Sequence, residues 1–202
     1  MPLQQRRSRE KVQMRQLILD AAKDIAAQHG WQNVTIRKLC AQINYSAPIV
    51  YQYFDTKECL MQSLRKEGMS QMAVKIKSIY ESEKNPHKQL QAYGFAFWQF
   101  ALEHPELYQV MFNLQGAMCE DENGQSPVEE INSYYAASIR ALQPDVHISS
   151  KQMLGLIDYY IAVIHGFIAL NMVNKIKSGK DNAEQVFKKS LKHFIESIAI
   201  NK

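Results

Sequence analysis

Apolar residues return at steps of three and four along almost the whole 202-residue chain, the spacing that gathers one face of an α-helix. Met14, Leu17, Ile18, Ala21, Ala22 and Ile25 predict a first amphipathic helix from about Val12, which Gly30 stops. Thr35 can cap a second, short helix that turns Ile36, Leu39, Cys40 and Ile43 inward. Asn44 falls where the following turn needs a residue that tolerates positive φ. Ser46 can cap a third helix to about Tyr53, with Pro48 in its first turn, where proline is accepted. Asp55 or Thr56 can cap a fourth, carrying Leu60, Leu64, Met72, Ile76 and Ile79, and Asn85-Pro86 ends it.

The same rhythm continues to the C-terminus. A fifth helix is predicted from about Pro86 to His104, and a sixth opens at Pro105 and runs from Glu106 to about Gln115. Gly116 to Ser126 reads as an acidic surface loop. A seventh helix covers about Pro127 to Leu142, and an eighth about Ser149 to Lys177. A turn over Ser178 to Asn182 precedes a ninth, from about Ala183 to Ile200. Strand-like alternation, internal repeats and low-complexity segments are absent from the sequence. The expected fold class is all-α: a flexible basic tail over 1–10, a three-helix helix-turn-helix domain over 11–66, and a six-helix domain over 67–202.

Composition narrows the function classes. With 46% hydrophobic and 22% charged residues, the chain is not disordered. Its three cysteines, Cys40, Cys59 and Cys119, are odd in number and widely spaced. No C-x-x-C occurs and no histidine lies three to five residues from a cysteine, so neither a disulfide scaffold nor a zinc site is expected. No metal and no cofactor are expected, and a reducing, cytoplasmic location is. No apolar run approaches ~18–20 residues, which argues against a membrane span. No apolar stretch follows the basic start MPLQQRRSREK, which argues against a signal peptide. Charge is distributed unevenly: residues 1–66 hold 11 Lys/Arg against 5 Asp/Glu, whereas residues 67–202 hold 13 against 15. That asymmetry fits an anionic partner at the N-terminal end, nucleic acid first, or equally a solvated basic face.

A supporting helix, a short helix, a tight turn and another short helix make a helix-turn-helix, in which one helix enters the major groove and another braces it. Thr35, Arg37 and Lys38, at the start of the bracing helix, can reach phosphates. Ser46, Ala47, Pro48, Ile49 and Gln52 form the expected outer side of the third helix. Gln52 offers bidentate hydrogen bonding to a base edge, and Ala47, Pro48 and Ile49 offer apolar contact. Tyr51, Tyr53 and Lys57 can donate to phosphates, although for the tyrosines core packing is the competing reading. Phe54 reads as core, Cys40 as a small core residue, and Trp31 as packing against the end of the first helix.

These residues resemble the DNA-binding domain of the TetR/AcrR family of bacterial transcriptional regulators. The segments that carry the resemblance are Ile18-Leu19-Asp20-Ala21-Ala22, Gly30-Trp31, Thr35 to Cys40, Ser46 to Phe54, and Lys57-Glu58-Cys59-Leu60. The resemblance implies that Thr35, Tyr51, Tyr53 and Lys57 touch the DNA backbone, and that Arg37 and Ala47 to Gln52 face the groove. Two departures stand out. Ile43-Asn44-Tyr45 replaces the family's usual Ala-Gly-Val, and Pro48 replaces a small residue. Asn tolerates the left-handed conformation that glycine supplies, so the turn is expected to survive.

In the C-terminal two-thirds, Phe95, Trp98, Gln99, Tyr108, Met111, Tyr159, Tyr160 and His165 are the candidates to line an apolar effector pocket. A plain hydrophobic core is the competing reading. The resemblance implies a small hydrophobic effector here. Phe95 to Tyr108 and Ile164-His165-Gly166-Phe167 are similar to the WHG type of C-terminal domain, with Ile161 where a tryptophan is usual. The eighth helix (Leu154, Ile157, Ile161, Ile168) and the ninth (Phe187, Leu191, Phe194, Ile198) are more apolar than one buried face requires, so a homodimer interface is expected there. The family resemblance implies a four-helix bundle between two chains and a palindromic operator in double-stranded DNA. Activity as a repressor released by its effector is the resulting expectation, with no membrane partner. A ligand-dependent activator, a sequence-tolerant DNA binder and a helical carrier or enzyme are the alternatives. For an enzyme, no Ser/His/Asp grouping, H-E-x-x-H or Gly-rich phosphate loop is visible, and the six histidines are scattered.

Overall fold

In the computed structural model the described residues are 3–112 and 126–200, and every regular element among them is helical. The chain forms two compact units: Met1–Gly68 with His104–Glu122, and Met69–Glu103 with Asn123–Lys202. The expected acidic loop from Gly116, the end of the sixth helix and Cys119 lie outside the described residues.

The first unit holds α1 (Leu3–His29), a 3-10 turn (Trp31–Asn33), α2 (Ile36–Ile43), α3 (Ala47–Tyr51), the start of α4 (Lys57–Ser82) and α6 (Pro105–Phe112). Helix α1 is longer than expected. No breaker interrupts Gln4 to Lys11, most of which are good helix formers, and Arg6 pairs with Glu10 one turn on at 2.9 Å. The expected tail over 1–10 is therefore helical from Leu3. Ile18, Ala21, Ala22 and Ile25 are buried as anticipated, but Leu17 is exposed, and Leu19 and Ala26 are buried instead. The buried arc is turned because α1 packs against both α2 and α6.

Gly30, at φ 78°, ends α1. Trp31 then donates its indole N–H to the Glu106 carbonyl at 3.0 Å, which ties the turn to α6. Thr35 caps α2 by accepting from the Lys38 N–H at 3.3 Å, and Asn44 adopts the left-handed conformation, at φ 58°. Ser46 holds the cap position of α3 without a side-chain cap bond, and α3 ends at Tyr51, two residues earlier than expected. Thr56 caps α4 through the Cys59 N–H at 3.2 Å. Lys23 bridges Asp20 and Glu67, both at 2.8 Å. Burial pushes the Asp20 carboxyl up, but the hydrogen bonds from Lys23 and Gln16 and the Lys23 charge outweigh it and leave Asp20 below its ordinary value.

The second unit contains the rest of α4, α5 (Pro86–Glu103), α7 (Pro127–Leu142), α8 (Ser150–Met172), a 3-10 turn (Lys180–Asn182) and α9 (Ala183–Ile200). Helix α5 is its centre and touches α7, α8 and α9. Buried polar groups on α5 are satisfied in a chain. The Ser138 hydroxyl donates to Gln89 Oε1 at 2.8 Å and lies 3.2 Å from the Tyr93 hydroxyl. Gln89 Nε2 donates to the Glu83 carbonyl at 2.6 Å and the Tyr80 carbonyl at 3.3 Å. Tyr93, Tyr135 and Tyr160 pack with centroid separations of 5.6 and 5.0 Å, and the Tyr160 hydroxyl donates to the Leu90 carbonyl.

Helix α8 starts on a full capping box between Ser149 and Gln152. It ends at Met172, short of the expected Lys177, because Asn174 takes a left-handed conformation at φ 54° and Lys175 N–H closes on the Leu170 carbonyl at 2.8 Å. Contrary to the reading of apolar runs, α8 is long and apolar enough to cross a membrane by length and composition alone. Asp158 and His165 interrupt the run in sequence, but the helix carries it past both.

Helix α5 approaches α9 closely at Gly94, where a Cβ atom would fall 2.4 Å from Leu191 Cδ2. Leu191 is itself buried. Gly94→Ala is expected to destabilise the protein by about 1–3 kcal/mol through overpacking, read as a lower urea midpoint with an unchanged slope.

Candidate functional site

Helix α3 is five residues long. A helix that short does not hold itself in water, so the side chains that fix it decide the geometry of the candidate interface. Val50 and Phe54 are buried beneath it. Arg15, from α1, closes its C-terminal end. Arg15 Nη1 donates to the Tyr53 carbonyl at 3.2 Å, Nη2 donates to the Ser63 hydroxyl of α4 at 2.6 Å, and the guanidinium lies 4.4 Å from the Phe54 ring centroid. Ser63 in turn donates to the Cys59 carbonyl at 2.9 Å. The sequence reading missed Arg15, because its partners lie 38 and 48 residues away. The available signal was a cation three residues before Ile18, on the stripe that becomes core.

With Val50 and Phe54 inward, Ser46, Pro48, Tyr51 and Gln52 are exposed, and Ala47, Ile49 and Tyr53 are half-buried. Pro48 and Gln52, one turn apart, give the outer side one apolar and one hydrogen-bonding position. Thr35, Arg37 and Lys38 are exposed at the start of α2. The Thr35 oxygen accepts the cap bond, so its O–H stays available to donate. Lys57 is half-buried and spends one donor on the Trp31 carbonyl at 3.3 Å; an ammonium has two more. All ten predicted interface residues belong to the first unit. Phe54 is core, as expected, while Cys40 is only half-buried. Among the described residues no cluster of His, Cys, Asp or Glu could hold a metal ion.

The predicted pocket residues divide between the two units. Tyr108 and Met111 belong to the first unit. Tyr108 packs on Phe112 at 4.8 Å with its phenol pushed far up by burial, and Met111 abuts Gly68. In the second unit, Gln99 and Tyr159 are exposed rather than interior, with Tyr159 at 65%. Both lie on the outward arcs of helices whose inward arcs are filled. Phe95 is half-buried under the Lys188 ammonium, 4.1 Å from its ring centroid. Tyr160 is core. Trp98 is buried and stacks on Phe187 at 4.8 Å with 16° between the ring planes. Phe167 meets Phe187 edge-on at 5.9 Å. The Trp98 indole N–H is buried and has no hydrogen-bond partner among the described residues. An orphaned buried donor is rare and costly.

The predicted dimer residues divide by burial. Ile157, Ile168, Phe187, Leu191 and Ile198 are buried within the protomer's own second unit and are not available to another chain. Ile161 and Phe194 are half-buried, and Leu154 is 60% exposed. Only 28% of the most apolar stretch of α8 is buried. Its outward stripe is Gly155, Tyr159, Ala162, Gly166, Leu170 and Val173, at steps of three and four. The two glycines have open space where a Cβ would stand.

Comparison with known proteins adds to this geometry. Residues 18–64 match the model of bacterial regulatory proteins of the tetR family, and residues 90–194 match that of the tetracyclin repressor-like C-terminal domain. The C-terminal match is thus to this domain, and the narrower WHG likeness does not carry over. Among solved structures, a protein of unknown function from Rhodococcus sp. RHA1 superposes with a TM-score of 0.72 at 18% identity, over 92% of this chain and 95% of that one. A variant of TetR from Acinetobacter baumannii AYE in complex with minocycline gives 0.64 at 15%, over 89% and 93%. RolR in complex with its ligand resorcinol gives 0.61 at 14%, over 96% and 97%. At these identities the likeness is one of fold. Comparison with curated protein sequences returned no match.

His165 is half-buried on α8, and burial lowers its pKa below the ordinary 6.5. The folded protein then holds the proton less tightly than the unfolded chain, so stability falls as pH drops from above 6.5 through the lower folded value. Urea unfolding at pH 7.5 and 5.5 is expected to show a smaller loss on acidification for His165→Gln than for wild type.

Proposed function

The chain belongs to the TetR family of ligand-responsive, DNA-binding transcriptional regulators, and from that premise we propose that it is a homodimeric repressor released from a palindromic operator by a small hydrophobic effector. The observation that carries this reading is the outer side of α3. Pro48, Tyr51 and Gln52 stand free on a helix whose inner side and end are fixed by Val50, Phe54 and Arg15. Such a helix is preorganised to enter a groove without reordering. In this reading Gln52 reads a base edge, with Ala47, Pro48 and Ile49 giving apolar contact. Thr35, Arg37, Ser46, Tyr51, Tyr53 and Lys57 hold the backbone.

The outward stripe of α8 supports the homodimer. A second copy would cover Leu154, Tyr159, Ala162, Leu170 and Val173, with Gly155 and Gly166 letting two helices approach. Asp158, exposed midway along the helix, suits a protein partner better than a bilayer. A two-fold pairing presents two copies of α3 to a two-fold symmetric site. The effector would lodge against the aromatic cluster of the second unit, where the Trp98 N–H can donate to a carbonyl or hydroxyl oxygen. Helix α4 runs from Lys57 to Ser82 and contributes to both units, which makes it the route of coupling. An effector weakens DNA binding only by preferring the conformation that binds DNA poorly, and a coupling of about 1–3 kcal/mol changes affinity roughly 5–150-fold. Such a protein acts in the cytoplasm and needs no catalytic step.

The reading is tested by capturing sheared genomic DNA on the purified protein at about 150 mM salt, where non-specific binding is weakened. Sharp peaks sharing a two-fold symmetric sequence support it, and a uniform smear sinks it. On the recovered site, Tyr51→Phe and Lys57→Ala are expected to weaken binding to all sequences, Lys57→Ala with a salt slope shallower by about 1 per protomer. Gln52→Ala is expected to change the preferred base at one position per half-site. Leu170→Arg is expected to yield a folded protein that sediments at the 23.3 kDa monomer mass rather than twice that.

A further inference from the structure

The core-facing stripe of α1 does not stop where the core stops. Ile18, Ala22 and Ile25 are buried. Continued toward the N-terminus at steps of three and four, the same stripe becomes Arg15, Lys11 and Arg7, all exposed. Arg15 is the side chain that grips the end of α3. Lys11 and Arg7 therefore stand about 6 and 12 Å farther along the helix axis from that grip, on the flank of α1 that faces α3. The single carboxylate of this segment, Glu10, is held by Arg6 away from the stripe. Among the described residues no hydrogen bond or ion pair is recorded for Arg7 or Lys11.

Like charges one turn apart weaken a helix, and here three stand in one row on the arc that elsewhere buries apolar residues. The arrangement makes physical sense if an anion covers the row, and the anion at hand is the backbone of the duplex that α3 enters. We propose that Arg7 and Lys11, on the part of α1 that overhangs the core, form a second phosphate-binding surface. It contacts the DNA backbone beyond the base pairs that α3 reads. This rests on the DNA-binding reading above and adds contacts outside the helix-turn-helix.

The probes are two duplexes centred on the strongest site that the wild-type chain recovers from sheared genomic DNA. One is trimmed to the protected core and the other is extended by roughly one helical turn on each side. Binding is followed by fluorescence anisotropy across a salt series. Wild type is expected to bind the extended duplex more tightly. The double variant Arg7→Gln/Lys11→Gln is expected to lose that preference. Its salt slope on the extended duplex becomes shallower by about 2 per protomer, and its affinity drops on the order of tenfold. Its melting temperature should be unchanged or higher, since the substitutions remove a repulsion. Arg6→Gln, off the stripe, should keep the wild-type slope. An unchanged slope in the double variant overturns the proposal, as does an equal loss in Arg6→Gln, which would mean undirected charge attraction. If wild type recovers no shared site, the operator reading falls, and the same slope comparison on a random-sequence duplex still decides between a phosphate surface and none.

Discussion

A five-residue helix cannot sustain itself, and in this protein the proposed reading of DNA depends on one. Several features of the first unit support α3. Asn44 supplies the left-handed residue that reverses the chain after α2. Val50 and Phe54 anchor the inner side in the core. Arg15 binds a carbonyl left unsatisfied just past the helix and reaches α4 with the same guanidinium. A planar fork with several fixed donors suits that task better than a flexible ammonium. Helix α6, although distant in sequence, is bonded to the turn after α1 through Trp31.

The second unit is held in a different way. Its centre, α5, is packed on several sides, so its polar groups must find partners within the protein. Gln89, Ser138 and Tyr93 satisfy one another and the carbonyls that end α4. Tyr160 satisfies itself on a carbonyl of α5. Against that background the Trp98 N–H is the exception: buried, stacked and without a partner among the described residues. In the proposed function, this donor is the group that would meet an oxygen of the effector.

Helix α8 shows why hydrophobic pattern alone is ambiguous. Its inner stripe, Met153, Ile157, Tyr160, Ile164 and Ile168, is core. Its outer stripe is nearly as apolar and uncovered. A helix apolar all round can be a membrane span, a core helix or one side of an interface. The proposed pairing of two copies rests on the small residues of the outer stripe and on the charge of Asp158.

Much of this was legible in the sequence, and for a consistent reason. Helix starts and stops are written in a few adjacent residues: Thr35, Asn44, Pro127 and the Ser149–Gln152 pair act on atoms one turn away. The family likeness was legible too, because the segments that carry it cluster within one stretch of chain. What tertiary structure alone decided was which apolar stripe each helix buries and which neighbour receives it. Leu17 is exposed because α2 and α6 fix how α1 is turned, and Gln99 and Tyr159 lie outside because the inner arcs of α5 and α8 are already filled. Tyr108 and Met111 joined the first unit because α6 packs on α1, a pairing of elements some 75 residues apart. Five of the expected dimer residues were spent on the protomer's own core. Local hydrogen bonding is short-ranged and can be read one turn at a time, whereas burial is a property of the whole packed unit and is settled only when all its helices are in place.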